Sequence, residues 1–511
     1  MGGVLRGAIR NPQSAIRNPQ SAIRNPQSEM PRSFVSIDEL TNDEIEAVFQ
    51  LADRFLDEMA TSGKPFRIQG RCELAQEHIL ATIFHEPSTR TRLSFETAML
   101  RMGGNIISCA DARSSSSSKG ETIADAVRVL ENYADVIVIR HPFEGAARVA
   151  SEYTDVPVIN AGDGSHEHPT QTLCDLYTLR VARGDQQGKR GAEVLKDLNV
   201  VLRGDLQHGR TVHSLAYALA RFGARILPDP APGCGFPDHV RRRLARDYNC
   251  YPLNKKEIDE LSDAAFPADV LYLTPEEPHQ LALMPDVVDV WLRLSKKQQK
   301  AVRGIKSVDA FYATRLQLER LEPGEDVADY PAIDSEFLKQ RRYRNSRVLH
   351  PLPRVDELSY DIDRDKRSIY FEQAAYGVPV RMALVAALLE LEPSVLQNAP
   401  SAPPYAQYSH AHGVRCSNKR CVTRQESEQR YLVSKYWIVD ERDLTLRCAY
   451  CDYEQEVLVV SRASTHKYTT DVAHWRDIDS KDLVLFADEH DAVEAGYQAK
   501  KRQTRSARSA K

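Results

Sequence analysis

The chain has 511 residues, and its 68 Lys plus Arg against 72 Asp plus Glu give a net charge of −4. That balance excludes a whole-chain polyanion binder, and nucleic acid is not expected as a partner. The 42% hydrophobic content is enough for sizeable cores, and at roughly 150 residues per domain the length predicts about three domains.

Residues 1–29 read as a disordered leader. Ala8 to Ser28 is three copies of Ala-Ile-Arg-Asn-Pro-Gln-Ser. The Pro in each copy blocks both a helix and a heptad coiled coil, and two apolar residues per copy cannot fill a core. Met30 follows directly and is expected to be the working start. The N-terminus has no apolar signal core, and no apolar run approaches the ~20 residues a membrane helix needs. A cytoplasmic protein without membrane contact is therefore expected.

From Met30 to about Pro393, short apolar runs alternate with helical patterns. Ile79 to Phe84 predicts a strand, followed by Pro87-Ser88 and a helix with Phe95, Ala98, Met99 and Met102 on one face. Val136 to Ile139 is a second strand. Leu198 to Leu202 is a third, followed by a helix with the stripe Val212, Leu215, Ala216, Leu219, closed by Gly223. Val270 to Leu273, Val308 to Tyr312 and Val348-Leu349 predict further strands. Alternation at this spacing predicts an α/β fold with two doubly wound parallel sheets. Glu392 to Tyr408, rich in Pro, Ser, Ala and Gln, reads as a linker. The segment 413–462 then holds Cys416, Cys421, Cys448 and Cys451, four of the nine cysteines, and 463–511 reads as a polar extension whose last twelve residues carry six basic side chains.

The candidate chemistry lies at predicted strand ends. Phe84-His85-Glu86-Pro87-Ser88-Thr89-Arg90-Thr91-Arg92 joins a strand to a helix N-terminus. Unpaired amides, three hydroxyls and a guanidinium fork suit a phosphate there; a Ser N-cap beside two exposed arginines fits the composition equally well. Arg140 follows the second strand. His168-Pro169-Thr170-Gln171 opens a helix, Arg210 and Arg315 follow two further strands, and His350-Pro351-Leu352-Pro353-Arg354 follows the last. Open α/β sheets bind ligands at the carboxyl ends of their strands. Five such places in agreement are harder to explain as loop composition than one. The paired cysteines, Cys416-x4-Cys421 and Cys448-x2-Cys451, have the spacing of a closed tetrahedral Zn²⁺ site, with no open position for catalysis.

Ser88-Thr89-Arg90-Thr91-Arg92, His168-Pro169-Thr170-Gln171, Gly209-Arg210-Thr211-Val212-His213-Ser214-Leu215, Thr314-Arg315-Leu316-Gln317 and the His350–Arg354 run closely resemble the aspartate carbamoyltransferase catalytic chain. The resemblance covers about 30–395. It implies transfer of the carbamoyl group of carbamoyl phosphate to the α-amine of L-aspartate, in pyrimidine biosynthesis and without an organic cofactor. It also implies a carbamoyl-phosphate domain at 30–168 and 378–395 and an aspartate domain at 169–377. Residues 396–412 become the linker and 413–462 a β-rich zinc domain.

By the same resemblance Ser88, Thr89, Arg90 and Thr91 hold the phosphate. Thr91, Arg140 and His168 polarise the carbonyl, and Gln171 with Leu352 and Pro353 hold the carbamoyl end. Arg210 and Arg315 clamp the two aspartate carboxylates, with Gln317 nearby. Ser115 and Lys119, in a serine-rich loop, enter a neighbouring subunit's site, which implies a homotrimer or larger assembly with shared active sites. The cysteine segment resembles the zinc domain of the family's regulatory chain, but about 20 residues between the last catalytic helix and Cys416 leave no room for that chain's nucleotide-binding domain. Two other readings remain open at this point: a carbamoyltransferase with another amine acceptor, and an inactive zinc-ribbon scaffold.

Overall fold

The computed structural model describes residues 31–59, 68–109, 120–187, 191–207, 210–230, 233–251, 269–273, 308–314, 333–339, 343–355, 357–397, 403–426 and 431–500. The leader, Ser115, Lys119, Arg315, Gln317 and residues 501–511 of the basic tail lie outside these residues.

The first unit is a parallel sheet of order β2-β1-β3-β4, built from β1 (Ile79–Phe84), β2 (Asn105–Cys109), β3 (Val136–His141) and β4 (Val158–Asp163). β3 and β4 are buried along their whole length, as a parallel sheet covered on both faces requires. One face carries Leu80, Phe84, Val136, Val138 and Ile159 against α1 (Asn42–Met59), α2 (Thr89–Arg101) and α5 (Pro169–Gln187). The other carries Ala81, Ile83, Ile137 and Ile139 against α3 (Ile123–Leu130) and α4 (Ala146–Glu152).

The second unit has β5 (Asn199–Gly204), β6 (Arg225–Pro230), β7 (Val270–Leu273), β8 (Ala310–Ala313) and β9 (Arg347–Leu349) in the parallel order β6-β5-β7-β8-β9. α6 (Arg210–Arg221) and α7 (Asp238–Tyr248) flank it. The apolar run at Met382–Leu389 belongs mostly to a 19-residue helix, α8 (Tyr370–Leu388), whose C-terminal half is buried throughout. α5 and α8 share one continuous core with both sheets, so the two units pack through helices that belong to both. Among the described residues no helix is long and apolar enough to cross a membrane.

Two segments expected to be irregular carry strands. β10 (Ala406–Ser409), inside the expected linker, pairs with β11 (Lys435–Asp440). That sheet continues through β12 (Thr445–Cys448) and β13 (Glu454–Glu456). The expected polar extension contributes to a second sheet of β14 (Val459–Arg462), β15 (Lys467–Thr469), β16 (Leu483–Phe486) and β17 (Gln498–Ala499). Val459, Tyr468, Val484, Phe486, Ala492 and Tyr497 form its small core. Strands of two to four residues show too few alternations for a period to emerge.

The cysteine sheet is not a pendant module. Its apolar residues are continuous with the α3/α4 layer, and the backbones of Glu144 and Cys421 form a parallel bridge. On the second unit, α7 reaches it with Arg243 to Asp452 at 2.8 Å and Arg447 returns to Asp247 at 2.7 Å. Arg243 also binds Asp38 at 2.7 Å and is 5% exposed. One guanidinium thus ties the first unit, the second unit and the cysteine sheet. Arg243→Ala leaves two carboxylates short of a partner and should cost about 2 kcal/mol, discounted for their partial exposure. Thermal denaturation checks it: a lowered midpoint is expected, and an unchanged one contradicts the tie.

Candidate active site

Pairing sets the site. Phe84 on β1 lies in register with Arg140 on β3, and His141 on β3 with Asp163 on β4. Neighbouring strands lie about 4.8 Å apart, so the loops after β1, β3 and β4 emerge side by side. Arg140, expected just past its strand, is in it. Arg140 is 6% exposed, and its guanidinium donates to Glu86 at 2.6 Å and to the Ala161 carbonyl at 3.2 Å.

After β1 the chain turns directly into α2. Ser88 is the N-cap, but its side chain makes no capping bond. The first-turn amides are therefore not capped by Ser88, an arrangement that suits an oxyanion better than a self-satisfied cap does. Thr89 and Arg90 are exposed, while Thr91 is buried.

After β4, the turn 163–167 is fixed by buried carboxylates. Asp163 accepts from Gly145 N at 2.7 Å, Asn160 Nδ2 at 3.0 Å and Glu167 N at 3.1 Å. Glu167 accepts from Ser36 Oγ at 2.8 Å, and burial pushes its carboxyl up to about 7. His166 spans Asp163 at 2.9 Å and Asp452 at 3.1 Å. Burial pulls this imidazole down, but the two carboxylates outweigh it and hold it well above its ordinary value. This turn delivers His168, 5% exposed, to the start of α5.

Arg140 and His168 meet at Gly162. With φ +115°, a Cβ there would lie 3.0 Å from Arg140 Nη1 and 3.3 Å from His168 Cδ2. The glycine therefore satisfies a backbone demand and leaves room for both groups.

The 350s loop closes the set. Leu352, at φ 52°, precedes a cis Pro353. Its N–H donates to His350 Nδ1 at 2.8 Å, and His350 Nε2 meets Glu357 at 2.7 Å. Nδ1 accepts, so the proton sits on Nε2 and His350 is neutral. Burial lowers its pKa, and the charges of Arg354 and Arg90 add to that. Arg90 thus lies within electrostatic reach of this loop. Arg354 itself turns away, to Asp363 at 2.7 Å and to 3.8 Å over the Tyr360 ring.

Gln171 is the third residue of α5 and is partly exposed, with its Nε2 donating to Asp175 Oδ1 at 2.9 Å. That carboxylate, with Glu86, Gln373 and Tyr312, escaped the sequence reading; the i, i+4 spacing of Gln171 and Asp175 was the available signal. Burial pushes Asp175 up to about 7, against hydrogen bonds from Gln171, Tyr312 and Gln373. Arg210 is the first residue of α6, on the carboxyl side of β5.

The four cysteines are buried, with their sulfurs within 4.8 Å of one another. Cys416 and Cys451 sulfurs are 3.6 Å apart and Cys421 and Cys448 sulfurs 3.8 Å. Tetrahedral metal–thiolate bonds of about 2.3 Å separate sulfurs by about 3.8 Å. The set is too open for disulfides and fits a structural metal.

Three families match. Residues 32–181 match "Aspartate/ornithine carbamoyltransferase, carbamoyl-P binding domain", and 292–388 match "Aspartate/ornithine carbamoyltransferase, Asp/Orn binding domain". Residues 411–458 match "Aspartate carbamoyltransferase regulatory chain, metal binding domain". The chain belongs to the aspartate/ornithine carbamoyltransferase family. Its similarity runs to the aspartate branch. The aspartate carbamoyltransferase catalytic subunit of Picrophilus torridus is 38% identical over 361 residues, 70% of this chain and 98% of that one. The Clostridium botulinum (strain Hall) subunit is 40% identical over 351 residues, 68% and 94% of the two chains. The solved catalytic subunit of M. jannaschii aspartate transcarbamoylase is 36% identical, covers 71% and 99%, and superposes with a TM-score of 0.51.

Gly162→Ala should displace Arg140 and His168 and lower kcat at least tenfold, by analogy with ~1 Å misplacements that cost about 10². Steady-state kinetics check it; wild-type kcat would contradict the shared vertex.

Proposed function

We propose that this chain transfers the carbamoyl group of carbamoyl phosphate to the α-amine of L-aspartate, giving N-carbamoyl-L-aspartate and phosphate. The observation that carries this reading is the meeting of Arg140 and His168 at Gly162, with Arg140 bonded to Glu86 in the loop that leads into the uncapped N-terminus of α2. The amine lone pair attacks the carbonyl carbon, the C–O bond to phosphate breaks, and the amine loses a proton. An amine needs no covalent enzyme intermediate, so positioning and charge stabilisation carry the rate.

In this reading Ser88, Thr89, Arg90 and Thr91 hold the phosphate, and Arg90 stabilises charge on the leaving oxygen. Thr91, Arg140 and His168 donate to the carbonyl oxygen as it gains charge. Gln171 and the Leu352 carbonyl accept from the carbamoyl –NH2, beside Pro353. Arg210 and Arg315, with Gln317, receive the two carboxylates of aspartate. The domains follow: 30–168 with 378–395 for carbamoyl phosphate, and 169–377 for aspartate. Ser115 and Lys119 complete a neighbour's site in a homotrimer or larger assembly. Arg90→Ala should lower kcat about 10²–10³-fold while the chain stays folded. Assayed with aspartate and with ornithine, full activity of this variant, or turnover of ornithine alone in the native protein, would overturn the reading.

Cys416, Cys421, Cys448 and Cys451 hold Zn²⁺. Four thiolates fill the tetrahedron, so the metal supplies folding free energy rather than a reactive site. Reduced thiols at this site agree with a cytoplasmic setting. One zinc per chain should be released on thiol titration, with protease sensitivity appearing at 406–456. Purified protein without bound metal but fully protease-resistant there would contradict this.

A further inference from the structure

A carbonyl group bearing –NH2 offers two N–H donors, and a site that recognises it must present acceptors and keep them turned toward it. A glutamine side chain cannot do this alone. Its amide rotates by 180° at little cost and would then present N–H to N–H. Something must fix which end faces out.

Asp175 lies one helical turn beyond Gln171 on α5 and is 1% exposed. Its Oδ1 accepts from three donors: Gln171 Nε2 at 2.9 Å, Tyr312 OH at 3.0 Å and Gln373 Nε2 at 3.0 Å. A carboxylate only accepts, so it fixes the nitrogen end of both amides toward itself. The oxygen end of Gln171, the one partly exposed member of the group, is then turned away from Asp175. The oxygen end of Gln373 accepts from the backbone N–H of His350 at 2.8 Å. His350 in turn holds the Leu352 N–H through its Nδ1. The same carboxylate oxygen therefore controls a glutamine at the head of α5 and, through Gln373, the loop that carries Leu352. Tyr312 adds β8 of the second unit, with its ring stacked on Tyr272 at 4.5 Å.

We infer that Asp175 is the positioning residue that makes the site selective for an amide –NH2 on the acyl donor, by fixing the orientation of Gln171 and the Leu352 loop. The inference rests on the assignment of Gln171 and Leu352 as the carbamoyl acceptors. Asp175 itself touches no substrate. An acyl phosphate with a methyl in place of –NH2 has the same shape and the same phosphate, but offers this pair of acceptors nothing and leaves them unsatisfied.

The test is calorimetric binding to the full-length protein of phosphonoacetamide and acetonylphosphonate, which differ only in –NH2 against –CH3 on the carbonyl, with inorganic phosphate as a third probe. The native protein should prefer the amide. Asp175→Ala should lower that preference about tenfold, the worth of one or two oriented hydrogen bonds, and leave phosphate binding within about twofold. Gln171→Ala should remove the same preference, and the double variant should lose no more than either single one. If Asp175→Ala weakens all three probes equally, or leaves the preference intact while Gln171→Ala removes it, the positioning role is wrong and the assignment of Gln171 stands. If Gln171→Ala leaves the preference intact, the assignment itself fails, and the inference with it. Should Asp175→Ala not fold, Gln373→Met keeps the volume and cuts the relay from Asp175 to His350 by removing both of its hydrogen bonds, while the Asp175–Gln171 bond is left in place. It should cost part of the preference, and no change there would also overturn the role.

Discussion

Everything at the site depends on the parallel register of β1, β3 and β4. That register puts Arg140 beside the end of β1 and Asp163 beside the end of β3, so three loops open at one edge of one sheet. A parallel sheet buried on both faces cannot slip by one residue without turning apolar side chains outward. The position of the cationic and hydroxyl groups is thus secured by hydrophobic burial beneath them, not by their own mutual contacts. Gly162 makes the same point locally: the absence of one methyl group lets an arginine at the end of β3 and a histidine just before α5 share a vertex.

The second constraint is the way the units are tied. α5 begins at the site and ends among the helices of the second unit, and α8 packs on both. The cysteine sheet adds a covering contact, with the Glu144–Cys421 bridge on one side and Arg243, Arg447 and Asp247 on the other. His166 joins that sheet to the turn that delivers His168. Metal binding therefore has consequences beyond the sheet it folds, because Asp452 follows directly on the ligand Cys451 and faces the same turn.

Much of this was legible from residues alone. Ile79–Phe84 gave β1 to the residue, the Pro-Ser and helical stripe after it placed α2, and the cysteine spacing identified its cluster. β2 was hidden because it is a half-exposed edge strand. β4 was hidden because its end, Asn160-Ala161-Gly162-Asp163, is polar yet buried by hydrogen bonds. β6 contains Pro228 and Pro230, which argue against a strand; as an edge strand it has ladder positions where a missing N–H is tolerated. Asp175 belongs to no motif. Its importance comes from three donors that meet only after residues 171, 312 and 373 are brought together by the fold.

We propose that the carboxyl ends of the first sheet's strands, together with Arg210 on the carboxyl side of β5, jointly grip an acyl phosphate and a dicarboxylic amino acid. Calorimetry with N-(phosphonacetyl)-L-aspartate, which joins both halves in one molecule, tests it most directly. Saturable heat is expected, with affinity lost on substituting either Arg90 or Arg210. Absence of heat, or affinity indifferent to both arginines, would contradict it.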